Sequence, residues 1–206
     1  MRLLPQLLGK AVTGLMRLLT GAQARWVGCG PAPTQRIYFA NHTSHGDFVL
    51  IWTCLPPSLR AMTRPVAGAD YWLAGGLRRY LITNVLNGVL IDRDKATRTR
   101  DPIEVILAAL GEGWSLIVFP EGTRNVGAEL LPFRSGIYHV ARQRPEVELV
   151  PVWIDNLNRV LPKGDVLPVP LLCSATFGTP TRLREGEGKD AFLARLCRAI
   201  LALRPA

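Results

Sequence analysis

The chain has 206 residues, with 25 Lys+Arg against 16 Asp+Glu for a formal net charge of +9, and 48% of it is hydrophobic. That length fits one domain, or a small one with an appendage, and that apolar content can bury a sizeable core, which excludes a disordered chain and a disulfide-stapled miniprotein. A pI near 10.0 points to an anionic partner: a polyanion, an anionic membrane surface or a phosphorylated substrate.

Met1 to Arg36 carries Arg2, Lys10, Arg17, Arg25 and Arg36, and no acid precedes Asp47. Leu4, Leu8, Ala11, Val12, Leu15, Leu19 and Ala22 recur at spacings of three and four, while Gln6, Lys10, Thr13 and Arg17 recur on the opposite side. This pattern predicts an amphipathic helix between Pro5 and Trp26. Ala22-Gln23-Ala24 has the small-residue look of a signal cleavage site, but Lys10 and Arg17 interrupt the uncharged stretch a signal needs. The same charges disfavour a membrane-spanning helix, at about 2.5–3.5 kcal/mol each near the bilayer centre. An interfacial helix and a helix docked on the core remain. Cations beside a Leu-rich stripe favour the interface, so residues 1–28 are read as an amphipathic membrane-interface helix and residues 29–206 as the main domain.

Further along, Ile37 to Ala40 reads as a buried strand and Asp47 to Trp52 opens a helix that Pro56-Pro57 must stop. Leu59 to Thr63 reads as a second strand, Tyr71 to Leu86 as a helix, Gly88 to Ile91 as a third strand, and Pro102 to Leu110 as a helix with Asp101 at its N-cap. Ser115 to Phe119 is a fully apolar strand, Gly136 to Gln143 a helix, Val147 to Ile154 and Leu171 to Phe177 strands, and Ala191 to Leu203 a closing helix. Strands alternating with helices predict an α/β fold: a mixed, largely parallel sheet covered by helices on both faces, with the amphipathic helix at its N-terminus.

In such sheets, sites gather where strands end in loops. After the first strand comes Asn41-His42-Thr43-Ser44-His45-Gly46-Asp47. His42 and Asp47 are five residues apart across a loop and a helix start, so the carboxylate can turn back to one imidazole nitrogen and leave the other to take a proton. The plainer reading is that Asp47 or Ser44 caps the helix while His42 fills the loop. His42 and His45 lack a third partner for a metal, and Ser44 lacks the G-x-S-x-G turn of a nucleophile. A second polar strand end is Phe119-Pro120-Glu121-Gly122-Thr123-Arg124. Its backbone N–H groups at Gly122 and Thr123, with Arg124, suit a phosphate, while Glu121 suits a hydroxyl or an arginine. Arg93 emerges after the third strand between Asp92 and Asp94. Each of the two is also consistent with an ordinary surface ion pair. Cys29, Cys54, Cys173 and Cys197 are far apart, with no CxxC, and read as reduced core thiols rather than metal ligands.

Taken in order, these blocks resemble the glycerolipid acyltransferase family, whose best-known members acylate 1-acylglycerol-3-phosphate to phosphatidate. Its four recurring blocks, N-H-x-S-x-x-D, G-x-x-x-x-R, F-P-E-G-T-R and a V-P-V-like strand, are matched at Asn41–Asp47, Gly88–Arg93, Phe119–Arg124 and Val150–Val152. The resemblance implies that residues 29–206 form an acyltransferase domain in which His42 is the general base, oriented by Asp47. It assigns Arg93, Glu121, Gly122, Thr123 and Arg124 to acceptor binding and Asn41 and Ser44 to loop support. It implies no metal and no held cofactor, the co-substrate being an acyl-CoA or acyl carrier protein thioester. The implied partners are membrane lipids and that acyl donor, not nucleic acid, and the implied location is the cytoplasmic face of the inner membrane, peripheral or monotopic. Alternatives are the same chemistry on a lyso-ornithine lipid or another lysophospholipid, and a non-catalytic lipid-binding protein. Where many relatives carry a lysine and glutamate segment, this chain reads Arg64 to Trp72, which leaves acceptor preference open.

Overall fold

Apolar side chains on successive residues of a strand face opposite ways, so the uninterrupted apolar run Ile37-Tyr38-Phe39-Ala40 needs cover on both faces. The computed structural model, which describes residues 3–94, 98–125, 127, 129–157 and 172–205, supplies it. Tyr38 and Ala40 join Ile117, Val150, Val152 and Ile154 in one core, and Ile37 and Phe39 join Leu116 and Leu149 in a second on the other face. Each fully buried side chain of this kind contributes about 1.5–3 kcal/mol.

The elements are α1 (Leu3–Thr20), β1 (Gln23–Trp26), β2 (Arg36–Ala40), α2 (Asp47–Cys54), α3 (Pro57–Ala61), β3 (Thr63–Gly68), α4 (Ala69–Trp72) and α5 (Gly76–Tyr80). A π-helical turn at Leu81–Val85 follows, then β4 (Val89–Ile91), α6 (Pro102–Gly111), β5 (Ser115–Val118), α7 (Gly136–Gln143), β6 (Glu148–Asp155), β7 (Ser174–Phe177) and α8 (Lys189–Leu201). The seven strands lie in the order β1-β7-β6-β2-β5-β3-β4. All neighbouring pairs are parallel except β6 and β7. The first core lies under α1, α2 and the π-helical turn, and the second under α6, α7 and α8. The expected mixed, largely parallel α/β sheet covered on both faces is therefore present.

Three expected elements differ. The segment read as a strand over Leu59–Thr63 is instead α3, started by Pro57 in the first helical turn, where a missing N–H costs nothing; strand β3 only begins at Thr63. The single helix expected over Tyr71–Leu86 is broken into α4, α5 and the π-helical turn around Gly75 and Gly76. The N-terminal helix ends at Thr20, where Gly21 takes φ +54°, and Gln23–Trp26 forms β1 against β7. Leu171, where the last strand was expected to open, lies outside the described residues.

Helix α1 presents two apolar faces, not one. Leu8 and Met16 pack on the first core, Gly9 lies against Trp52, and Thr13, expected on the polar side, is buried, its hydroxyl donating to Lys10 O. Leu4, Leu7, Leu15 and Leu18 form a separate stripe that is 56–82% exposed.

Candidate active site

Strands β2, β5, β3 and β4 are consecutive in the sheet and run the same way, so their C-terminal ends deliver four loops to one edge. β2 ends in Asn41–Asp47, β5 in Phe119–Arg124, β3 in Gly68–Asp70 and β4 in Asp92–Arg93.

The first loop is held from several sides. Asn41 is buried, and its amide pairs with β6, accepting from Ile154 N (2.7 Å) and donating to Ile154 O (3.1 Å). Asp47 is 0% exposed, and its Oδ2 accepts from the backbone N–H of Thr43 (2.6 Å) and Ser44 (2.8 Å). The same oxygen lies 2.9 Å from His42 Nδ1. An oxygen already taking two N–H donors faces the imidazole as an acceptor, which assigns the proton to Nδ1 and leaves Nε2 as the basic nitrogen. Nε2 has no hydrogen-bond partner among the described residues. The ring stacks on Phe119, with centroids 4.2 Å apart, and the side chain is 18% exposed. Ser44 supports the turn: its Oγ accepts from Gly46 N (3.2 Å). Neither Asp47 nor Ser44 caps α2 through its side chain, the N-cap being Gly46. Asp47 Oδ1 is buried with no partner among the described residues.

Glu121 is placed otherwise than its expected contact with acceptor suggests. It is 3% exposed; Oε1 accepts from His42 N (2.8 Å) and Oε2 from Leu131 N (3.0 Å). The carboxylate thus clamps the His42 backbone to the following loop, and His42 O in turn accepts from Asn125 N (2.7 Å). Gly122 takes φ +71°, and a Cβ there would collide with Arg134, whose Nε donates to Glu121 O. Thr123 and Arg124 are exposed at the tip of the same loop.

Arg93 lies beside the site but is already engaged. Its Nη2 donates to both carboxylate oxygens of Asp70, at 2.9 and 2.6 Å, and this holds the Asp70 carboxyl below the usual carboxylate range. His45, given no role by its spacing, lies flat on Tyr71 with ring centroids 3.8 Å apart. Burial first, then the charges of Arg124, His42, Arg78 and Arg93, push its imidazole down to about 4. Geometry ties these segments together: Tyr71, under His45, also carries the Arg78 guanidinium of α5 at 4.4 Å, and the backbone N–H of Asn125, next to Arg124, donates to His42 O. None of the four cysteines is in a disulfide, and burial pushes the Cys54 and Cys173 thiols up to about 11. Among the described residues no group of three or more His, Cys, Asp or Glu is placed to hold a metal ion.

Comparison with known proteins adds to this geometry. The sequence model of the family described as "Acyltransferase" matches residues 30–155. A 1-acyl-sn-glycerol-3-phosphate acyltransferase from Cocos nucifera is 27% identical over 184 residues, covering 82% of this chain and 56% of that protein. One from Escherichia coli K12 is 34% identical over 137 residues, covering 60% and 51%. The chain thus spans about half the length of the curated relatives it matches. The crystal structure of the 1-acyl-sn-glycerophosphate (LPA) acyltransferase PlsC from Thermotoga maritima superposes with a TM-score of 0.73 at 20% identity, over 97% of this chain and 79% of that one, which shows a shared fold.

Proposed function

Because the chain belongs to the acyltransferase family, we propose that it transfers an acyl group from a thioester to the free hydroxyl of a lysophospholipid, with 1-acylglycerol-3-phosphate as acceptor and phosphatidate as product. The observation that carries this reading is the His42–Asp47 pair: Nδ1 is fixed by a buried carboxylate, and Nε2 has no partner among the described residues. Nε2 takes the acceptor hydroxyl proton as that oxygen bonds to the thioester carbonyl carbon. The tetrahedral intermediate then expels the thiolate, which recovers the proton from the imidazolium, and Asp47 Oδ2 supports the ring charge in between. General base catalysis of this kind contributes a factor of about 10²–10⁴. Arg124, with the Thr123 backbone N–H, takes the acceptor headgroup, the Gly122 N–H expected to share in this being engaged by Phe119 O at 3.0 Å, and Arg93 stands beside it. Asn41, Ser44 and Glu121 act through the loop, holding its shape. The chemistry calls for no metal or held cofactor, the donor being acyl-CoA or an acyl-carrier-protein thioester. Thioester consumption with palmitoyl-CoA and a panel of acceptors tests the reading: turnover with 1-acylglycerol-3-phosphate supports it, and none with any lysolipid refutes it.

One observation favours a second acceptor class. The Asp70 carboxylate already matches the Arg93 charge and is 59% exposed, a suitable partner for the ammonium of a lyso-ornithine lipid. Turnover confined to that acceptor would keep the mechanism and change the substrate.

We also place the protein at the cytoplasmic face of a membrane, bound peripherally or monotopically through α1. No helix among the described residues is long and apolar enough to cross a membrane. The Leu4, Leu7, Leu15 and Leu18 stripe faces outward, with Lys10 along its edge, and Leu77 on α5 is 75% exposed. Leu-rich faces flanked by cations bind anionic lipid surfaces. Flotation with anionic vesicles checks this: Leu7→Asp/Leu18→Asp should abolish binding without unfolding the protein, and undiminished binding would contradict it. Deleting residues 1–26 is the poorer test, since it removes β1 from the sheet.

A further inference from the structure

The segment between β3 and β4 carries a cation that the reaction as described leaves unused. The Arg78 guanidinium carbon lies 4.4 Å over the Tyr71 ring, the same ring on which His45 stacks. Gly75 makes room for it: a Cβ at that position would lie 3.2 Å from both Nε and Nη2 of Arg78. His45 is three residues beyond His42 in the same loop, so Tyr71 joins the catalytic loop to α4 and α5 and sets Arg78 beside it. Two guanidiniums are carried to this loop, that of Arg78 by Tyr71 and that of Arg124 by the chain next to Asn125, whose N–H donates to His42 O (2.7 Å), and neither has a carboxylate partner among the described residues. Arg93 has one, since Asp70 holds its fork against Gly68, where a Cβ would lie 2.6 Å from Arg93 Nε. Guanidiniums collected without counter-charge form a site for an anion, and Arg suits phosphate because its planar fork matches phosphate oxygens.

We propose that Arg78 is an anion-binding residue of the acceptor site, which with Arg124 grips the phosphate of the lysolipid headgroup, while Asp70 keeps Arg93 paired. This rests on the phosphate-bearing acceptor read above. The stack on Tyr71 holds the Arg78 fork in place, so less side-chain freedom is lost when phosphate arrives. The depressed titration of His45 agrees, as Arg78 and Arg124 both contribute to it.

The test is equilibrium binding of soluble 1-hexanoylglycerol 3-phosphate, without acyl donor, to wild type, Arg78→Ala, Arg78→Gln, Arg124→Ala and Arg79→Ala. Arg79 is an exposed neighbour on the same helix, so its removal changes net charge equally. Arg78→Gln keeps part of the stem over Tyr71 and guards against a folding defect. The expected result is binding about 10- to 100-fold weaker in Arg78→Ala, Arg78→Gln and Arg124→Ala, and within threefold of wild type in Arg79→Ala. Unchanged binding in the Arg78 variants, an equal loss in Arg79→Ala, or no binding by wild type would each overturn the proposal. Thioester turnover by wild type, run in parallel, separates the two claims: Arg78-dependent binding without turnover sinks the reaction and leaves the anion site standing.

Discussion

The two halves of the site are built in opposite ways. The Asn41–Asp47 loop is buried and over-determined: Asp47 Oδ2 accepts from two backbone donors and the His42 ring, Asn41 is pinned to β6, and Glu121 fixes the His42 backbone. The acceptor side is exposed, with Thr123 and Arg124 at a loop tip and Arg93 half exposed in a pair with Asp70. Proton transfer needs its partners placed within a few tenths of an ångström before substrate arrives. A headgroup brings its own charge and orders long side chains as it binds. On the proposed reading, hydrogen bonds are concentrated around the reacting nitrogen, while recognition falls to more exposed cations, of which Arg78 is held by its stack on Tyr71.

Substitutions on the two halves should therefore differ in kind as well as size. The largest effect short of removing the imidazole itself belongs to Asp47→Asn. An amide presents donors to Thr43 N, Ser44 N and Nδ1 or loses its oxygen from that position, so turnover should fall about 10²-fold or more, with KM for acceptor little changed. Steady-state kinetics on the folded variant checks the split, and an equal fall in acceptor affinity would erase the contrast between the halves. Glu121→Ala comes next. It orphans the backbone donors of His42 and Leu131, at about 1–3 kcal/mol for each that stays buried. Denaturant melts should show the loss, and kcat should fall with it even though Glu121 does not face the acceptor. Gly122→Ala forces a side chain to φ +71° and into Arg134, for a loss of about 1–2 kcal/mol or more. Unaltered melting would mean that the loop adapts, contrary to the rigidity argued for this half.

The smallest effect is that of pH on His45. Its titration is depressed to about 4 in the folded chain from an ordinary 6.5, so the unfolded chain takes a proton that the folded one refuses. The stability this neutral ring confers is present above pH 6.5 and is lost as pH falls toward 4. The ring is partly exposed, and solvent screening reduces the effect. A proton NMR titration should place His45 near 4, and a midpoint near 6.5 would contradict first the burial of the ring against Tyr71 and then the neighbouring positive charges.

Much of this was legible because the sequence obeys local rules there. Fully apolar Ile37–Ala40 and Leu116–Val118 can only be two-sided strands, and Asp101 before Pro102 caps α6 as read, accepting from Ile103 N. The missed elements carried weak or conflicting signals. β1 is an edge strand with three exposed residues, Gln23, Ala24 and Arg25, and pairs with β7, more than 140 residues away, so nothing local marks it. The Leu59–Thr63 error came from reading apolar content without weighing Pro57 as a helix start. At the site, the spacing of His42 and Asp47 suits a loop-to-helix turn but is weak alone, and it was the order of the four blocks, with the family resemblance they carry, that singled the pair out. The clamp role of Glu121 did not stand out, since its partners are backbone groups at His42 and Leu131 that no side-chain motif encodes. The stack of His45 on Tyr71 joins residues 26 apart through tertiary packing alone.

The most direct test of the central claim is thioester consumption by purified wild type and His42→Ala with palmitoyl-CoA and 1-acylglycerol-3-phosphate. Lysophosphatidylcholine and lyso-ornithine lipid serve as alternative acceptors. The account predicts phosphatidate formation by wild type and a fall of about 10²–10⁴-fold or more in His42→Ala, whose fold should be intact. Wild-type turnover that survives in His42→Ala would contradict the assignment of the base, and no turnover with any acceptor would leave a lipid-binding protein in place of an enzyme.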